Sequence, residues 1–224
     1  MKSYLIIDTI QTITLFALMI RLIIVIYKNR PHAKHAGSLL PIPTLGLLQI
    51  FFSSFGVILF ENNSYIYIQK IITNTYIAIE MISLIYYYSK YVKKSYLIKI
   101  LLVLFFSFLF FSGFLINLSK NTIDIRIFFA ISESIFFVII CLHVYLEIIF
   151  NEEIKDIHKS HFFFFNTGVF ALFSTTLPVY LFDAIIQNNL KIYFIQYSVI
   201  NGISYIFFYL SIIKSINLWT KIQK

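Results

Sequence analysis

Two carboxylates, Glu80 and Glu133, stand well inside the long apolar runs Ile68–Val92 and Ile123–Phe150. An ionisable group at such a depth is costly in hydrocarbon and marks a binding, proton-exchange or ion-pairing role. At helical spacing Gln69, Thr73, Tyr76, Glu80, Ser83 and Tyr87 fall on one stripe, which has to face other protein. Arg126, Glu133 and Glu147 share a face in the same way, with Ser132 and Ser134 flanking the central acid. Two further acids lie toward run ends, Asp183 with Thr176 and Tyr180, and Asp8 with Gln11 and Thr12. Ser198, Asn201, Ser204 and Tyr205 supply one side of the last run. Carboxylates lined by hydroxyls, amides and tyrosines suit a cavity that takes a cation, an amine or a proton. The competing reading is that each acid is protonated or paired with Arg126, Lys70 or Lys191 and serves as glue between helices.

The histidines offer a second chemistry. His32 and His35, His158 and His161, and the one-turn pair His143 and Glu147 could give zinc imidazole and oxygen ligands. Lysines interrupt or flank both short pairs, and both fall in loops, so no metal ligand, cofactor or catalytic residue is assigned. The single cysteine, Cys141, excludes an intrachain disulfide. Lys191 and Lys214 lie at the two ends of the last run, where neither could carry a retinal Schiff base.

The elements that must position these groups follow from composition. Of 224 residues 59% are hydrophobic and only 12% charged, and the mean hydropathy is +0.84. A soluble domain carries about twice that charge, so a soluble enzyme is excluded and the chain reads as a polytopic membrane protein. Runs long enough to cross a bilayer occur at Tyr4–Tyr27, Leu39–Phe60, Ile68–Val92, Leu97–Leu118, Ile123–Phe150, Phe162–Ile186 and Ile192–Ile213. The expected fold is all-α, a single seven-transmembrane-helix bundle. Its first span reads as a signal anchor, because the basic segment from Lys28 to Lys34 follows it and no small-residue cleavage site does.

Orientation comes from the lysines and arginines of the short loops. One side holds Lys28, Arg30, Lys34, Lys90, Lys93, Lys94, Lys99, Lys155, Lys159, Lys214, Lys221 and Lys224; the other holds Lys2, Lys70, Lys120, Arg126 and Lys191. The N-terminus is therefore expected outside and the C-terminus in the cytoplasm. The net charge of +8 then belongs to a face near anionic membrane lipid rather than to nucleic-acid binding. Pro178 falls inside the sixth run and predicts a kink. No GxxxG pair occurs, and no three-helix repeat of a transporter kind is visible. The aromatic runs Tyr86–Tyr88 and Phe162–Phe165 read as anchors at the inner interface.

Four segments carry a resemblance: Asn74-Thr-Tyr76-Ile-Ala-Ile-Glu80 with the following Lys93-Lys94, Ile131-Ser-Glu133-Ser134-Ile135, Phe165-Asn166-Thr167-Gly168 with Ser174 and Leu177-Pro178, and Ile200-Asn201 with Ser204-Tyr205. In these the chain resembles a family of small seven-helix inner-membrane proteins common in Bacteroidota. The resemblance spans the third to seventh runs and implies a polar interior built from Asn74, Glu80, Glu133, Asn166, Asn201 and Tyr205. It implies a bacterial inner-membrane location but supplies no activity. Members often have a tryptophan in the aromatic pair before Asn-Thr-Gly, whereas Phe162–Phe165 is all phenylalanine.

The leading expectation is a membrane sensor. Asn74, Tyr76, Glu80, Glu133, Asn166, Asp183, Asn201 and Tyr205 would bind a small ligand or proton in an outward cavity, and a separate partner protein would supply the output. Three alternatives stand beside it: a proton-coupled transporter, a zinc-dependent lipid hydrolase, and a regulator acting by protein contact alone.

Overall fold

The computed structural model describes the backbone of residues 2–29, 34–59, 62–91, 125–150, 160–186 and 191–222. Within these it describes the side chains of 6–29, 36–52, 71–73, 75–90, 130–150, 160–181 and 199–221. All described secondary structure is helical: α1 (Lys2–Asn29), a 3₁₀ turn (Lys34–Leu39), α2 (Pro41–Leu59), α3 (Asn62–Tyr91), α4 (Ile125–Phe150), α5 (His161–Ile186) and α6 (Lys191–Ile222). Six of the expected spans correspond to these helices, with α3 starting at Asn62 rather than Ile68 and α6 running on to Ile222. The expected fourth span, Leu97–Leu118, lies outside the described residues.

Local chemistry sets several boundaries. Pro41 opens α2 at the position where its missing N–H costs nothing. Ser160 caps α5, its Oγ accepting from the Phe163 N–H at 3.3 Å. Further along, α5 stays helical through Pro178. Ahead of that proline the hydroxyls of Ser174, Thr175 and Thr176 donate to main-chain carbonyls of Ala171, Leu172 and Phe173.

Four of the described helices contain segments long and apolar enough to cross a membrane: Ile6–Asn29 of α1, Ala130–Phe150 of α4, His161–Leu181 of α5 and Val199–Lys221 of α6. Their outward faces match that role. Ile6, Ile10, Ile13, Ile20 and Ile24 are exposed along α1, and Ile135, Ile139, Leu142, Leu146 and Ile149 along α4. Water-facing surfaces rarely carry apolar patches of that extent; lipid covers them at no cost. The chain is built as a membrane protein.

Packing fixes directions. α5 lies between α4 and α6, α1 packs on α6 and α2, and α3 packs on α2 and touches α4. α5 runs antiparallel to α6: Thr175 meets Ser204, Gly168 meets Ser211, and His161 stacks on Trp219 with ring centroids 4.7 Å apart. α3 and α4 run parallel. Tyr88 contacts Cys141 across 53 residues of sequence, and Glu80 interacts electrostatically with Glu133 at the same offset. Although no GxxxG pair exists, single glycines still bring helices close. A Cβ at Gly168 would lie 2.6 Å from the Ser211 Cβ, and one at Gly202 would lie 2.8 Å from the Gln11 Oε1.

One sequence expectation is corrected here. Tyr87, Tyr88 and Phe165 are not interfacial anchors: all three are fully buried. They form an aromatic core, with Tyr87 and Phe165 centroids 4.1 Å apart and Tyr88 at 5.4 Å from Phe165. Phe137 and Phe173 extend it, stacked at 4.6 Å. Only Tyr86 of that tyrosine run faces outward, beneath the Lys90 ammonium. The aromatic periodicity looked like an interface because sequence does not say that α4 and α5 both close over α3.

Candidate functional site

At the end of the bundle where α1 begins, α1, α2, α3 and α6 enclose a cavity of about 620 Å³. α1 contributes Asp8, Gln11, Thr12, Leu15 and Met19, and α2 contributes Gly46, Gln49 and Ile50. Thr73, Tyr76 and Ile77 come from α3, Tyr180 from α5, and Asn201, Gly202 and Tyr205 from α6. Gly46 sets part of this wall. A Cβ there would lie 2.7 Å from the Met19 Cε and 3.3 Å from the Tyr209 hydroxyl, so glycine leaves room for these two side chains against α2.

Tyr76 links the cavity to the buried acids. It lines the wall, and its hydroxyl donates to the Glu80 Oε1 at 3.1 Å, with the Tyr209 hydroxyl 3.5 Å away. Glu80 is 2% exposed and Glu133 4%. The two carboxylates interact electrostatically, and the Glu133 Oε1 has no hydrogen-bond partner. Among the described residues neither acid is paired with a cation. Tyr205, also on the cavity wall, interacts electrostatically with both acids. The Glu80 carboxylate and the Tyr76 and Tyr209 hydroxyls thus form a buried group behind the cavity, in electrostatic reach of Glu133 and Tyr205.

No family model matches the chain, and no curated protein and no solved structure matches it.

Of the expected site residues, Tyr76, Asn201 and Tyr205 line the cavity, while Glu80 is held behind the Tyr76 hydroxyl and interacts electrostatically with Glu133. Asn166 is elsewhere. It accepts from the Tyr88 hydroxyl at 2.8 Å and donates to the Cys141 carbonyl at 3.1 Å, tying α5 to α3 and α4 inside the aromatic core. Both ends of its amide are occupied by protein, so its role there is structural. The side chains of Asn74 and Asp183 lie outside the described residues.

Asp8, Gln11, Thr12, Thr73 and Tyr180 stood on polar stripes in the sequence without being singled out as site residues, and all five line the cavity. Gln49 was missed. Its signal was an amide alone within the apolar stretch of α2.

The two histidines whose side chains are described, His143 and His161, do not come together. His143 pairs with Glu147 at 3.4 Å, His161 stacks on Trp219, and the side chains of His32, His35 and His158 lie outside the described residues. Among the described residues no group of three or more His, Cys, Asp or Glu could hold a metal ion.

Proposed function

We propose that the protein is a multi-pass membrane sensor whose polar cavity takes a small ligand or a proton from outside and passes the change to a separate partner protein. In this reading the chain crosses a bacterial inner membrane seven times, with the N-terminus outside and the C-terminus cytoplasmic. The lysine asymmetry supports the orientation, and the resemblance to small Bacteroidota membrane proteins supports the location. The observation that carries the sensing role is the double position of Tyr76, on the cavity wall and on Glu80.

Two carboxylates side by side in a low-dielectric interior share a proton rather than ionise together. A cation arriving on the far side of the Tyr76 ring favours the ionised pair, so occupancy of the cavity becomes a change of charge in the bundle. Below the pair, Tyr87, Tyr88, Phe137 and Phe165 are fully buried and close-packed. That layer supports a sensor over a transporter, because it fills the route a substrate needs.

Amide hydrogen exchange on nanodisc-embedded protein tests the reading. After correction for intrinsic exchange, acidification should alter protection in the inner halves of α3 and α5 in the wild type and leave Glu80→Gln unchanged. Equal behaviour of the two proteins would overturn the assignment.

A further inference from the structure

Two cations stand deeper in the bundle than loop charge explains. Arg21 on α1 and Lys214 on α6 each lie eight residues before the end of their helix, about 12 Å along it. Seven residues further on, just before each helix ends, come Lys28 and Lys221. All four side chains are exposed. Arg21 emerges beside Ile20 and Ile24, and Lys214 one turn past Leu210, among the exposed aliphatic side chains that meet lipid. Among the described residues no carboxylate pairs with any of the four. A cation at that depth is costly in hydrocarbon. Its long stem relieves the cost by carrying the charge up to a lipid phosphate.

The fold brings the two pairs together. The Gln11 Nε2 donates to the Val199 carbonyl at 2.9 Å, a Cβ at Gly202 would meet the Gln11 amide, and Met19 and Tyr209 both reach Gly46. These contacts advance in the same direction along both chains. They put Arg21 within about one helical turn of Lys214 in depth, and Lys28 likewise of Lys221. At helical spacing Arg21 follows Gln11 around α1 on the side away from Met19, and Lys214 lies opposite Tyr205 on α6. Both therefore project from the outer surface of the α1–α6 pair. The Lys214 ammonium is held 3.7 Å over the Phe164 ring of α5, which positions its charge without neutralising it.

Neighbouring helix axes are about 8–10 Å apart, so each helix offers its own pair of cations at a spacing that long side chains can bridge. One phosphate meets one helix. Two phosphates joined by a three-carbon bridge meet both. We propose that the α1–α6 seam binds, one to one, an anionic membrane lipid whose head group carries two phosphates joined by glycerol. Lys28 and Lys221 meet the phosphates from the water side, Arg21 and Lys214 from below, and the acyl chains lie along Ile20, Ile24 and Leu210. The aliphatic flanks select a lipid over a dissolved anion. This seam is at the opposite end of the bundle from the cavity and is independent of what the cavity holds.

Native mass spectrometry of the full chain in a non-ionic detergent counts the lipid retained. The probes are diphosphatidylglycerol, phosphatidylglycerol and phosphatidylcholine with the same acyl chains, and inorganic pyrophosphate. One diphosphatidylglycerol should bind at least about tenfold more tightly than phosphatidylglycerol, because its second phosphate engages intramolecularly. Arg21→Gln and Lys214→Gln should each weaken it about fivefold, and Arg21→Lys should stay close to wild type. Lys90→Gln removes an exposed cation at the same end of the bundle, one that sits over the Tyr86 ring at 4.9 Å, and should change nothing. Circular dichroism of each variant shows whether it is folded.

If Lys90→Gln weakens binding as much as Arg21→Gln, the attraction is to net charge and the seam is no site. If phosphatidylglycerol matches diphosphatidylglycerol, the two-phosphate match is wrong. If pyrophosphate binds as tightly as the lipid, the occupant is not a lipid. Retention no better than that of phosphatidylcholine overturns the inference outright.

Discussion

Tyr76 and Glu80 lie one helical turn apart, and the hydroxyl of the first donates to the carboxylate of the second at 3.1 Å where both are buried. Tyr76→Phe removes the one hydrogen-bond donor the structure gives Glu80 and leaves a polar group orphaned in a low-dielectric interior. The expected loss is about 1–3 kcal/mol of stability. Glu80→Leu removes the acceptor together with the buried carboxylate and leaves the Tyr76 hydroxyl to re-pair, at a cost of about 1–3 kcal/mol. The double variant should then lose less than the sum of the two. Unfolding of the four proteins in one detergent gives the cycle directly; additive losses would mean the bond contributes nothing.

The same bond predicts how binding depends on pH. If a cation in the cavity drives a proton from the Glu80–Glu133 pair, binding and proton release are linked, and affinity must rise with pH. The limit is about tenfold per pH unit while one proton is released. Among the described residues the groups in electrostatic reach of the pair are Tyr76 on α3 and Tyr205 and Tyr209 on α6, with Tyr180 of α5 in reach of Tyr205. Titrations with a small organic amine at several pH values check the slope, and the part that Glu80→Gln abolishes is the pair's share. A slope unchanged by that substitution would separate the acids from the cavity.

Asn166 should behave in the opposite way. Its amide joins Tyr88 on α3 to the Cys141 carbonyl on α4 within the aromatic core. Asn166→Leu removes both bonds, and interhelical hydrogen bonds in membrane proteins are worth only about 0.6–1.7 kcal/mol each. A loss of about 1–3 kcal/mol is therefore expected in unfolding, with the affinity for a small organic amine within about twofold of wild type. A large loss of affinity at unchanged stability would return Asn166 to the binding site.

The helices and the buried acids were legible because each depends on periodicity along one chain. Glu80, Ser83 and Tyr87 were on the stripe that faces protein, and all three are buried. What one chain does not encode locally is which stripes meet. Asn166 and Asn201 look alike in sequence, as amides on inward faces. Yet α5 turns the first into the aromatic core and α6 turns the second onto the cavity wall. Asp8, Gln11 and Thr12 were legible as a polar face, and Gln49 as a lone amide. Their convergence required knowing that α1 packs parallel to α6 with α2 alongside.

The closest helix contact of this kind is testable by repair. A Cβ at Gly168 would lie 2.6 Å from the Ser211 Cβ and 3.3 Å from the Phe208 carbonyl oxygen. Gly168→Ala therefore has to push α5 from α6, a cost of about 1–3 kcal/mol from overpacking. Alanine's better helix propensity offsets up to about 1 kcal/mol of it. Ser211→Gly removes the opposing Cβ, so the pair Gly168→Ala with Ser211→Gly should recover much of the loss, while the main-chain contact to Phe208 keeps the recovery incomplete. Gly37, with nothing within 4 Å of its Cβ position, is the control, and alanine there should meet no opposing atom. Cys141 is fully buried, so its labelling by a thiol-reactive dye on heating reads the unfolding midpoints of the four proteins and the control. Failure of Ser211→Gly to rescue Gly168→Ala would mean that α5 and α6 are not held together at this contact, and with that the register that places Thr175 on Ser204 and Tyr205 on the cavity wall would lose its support.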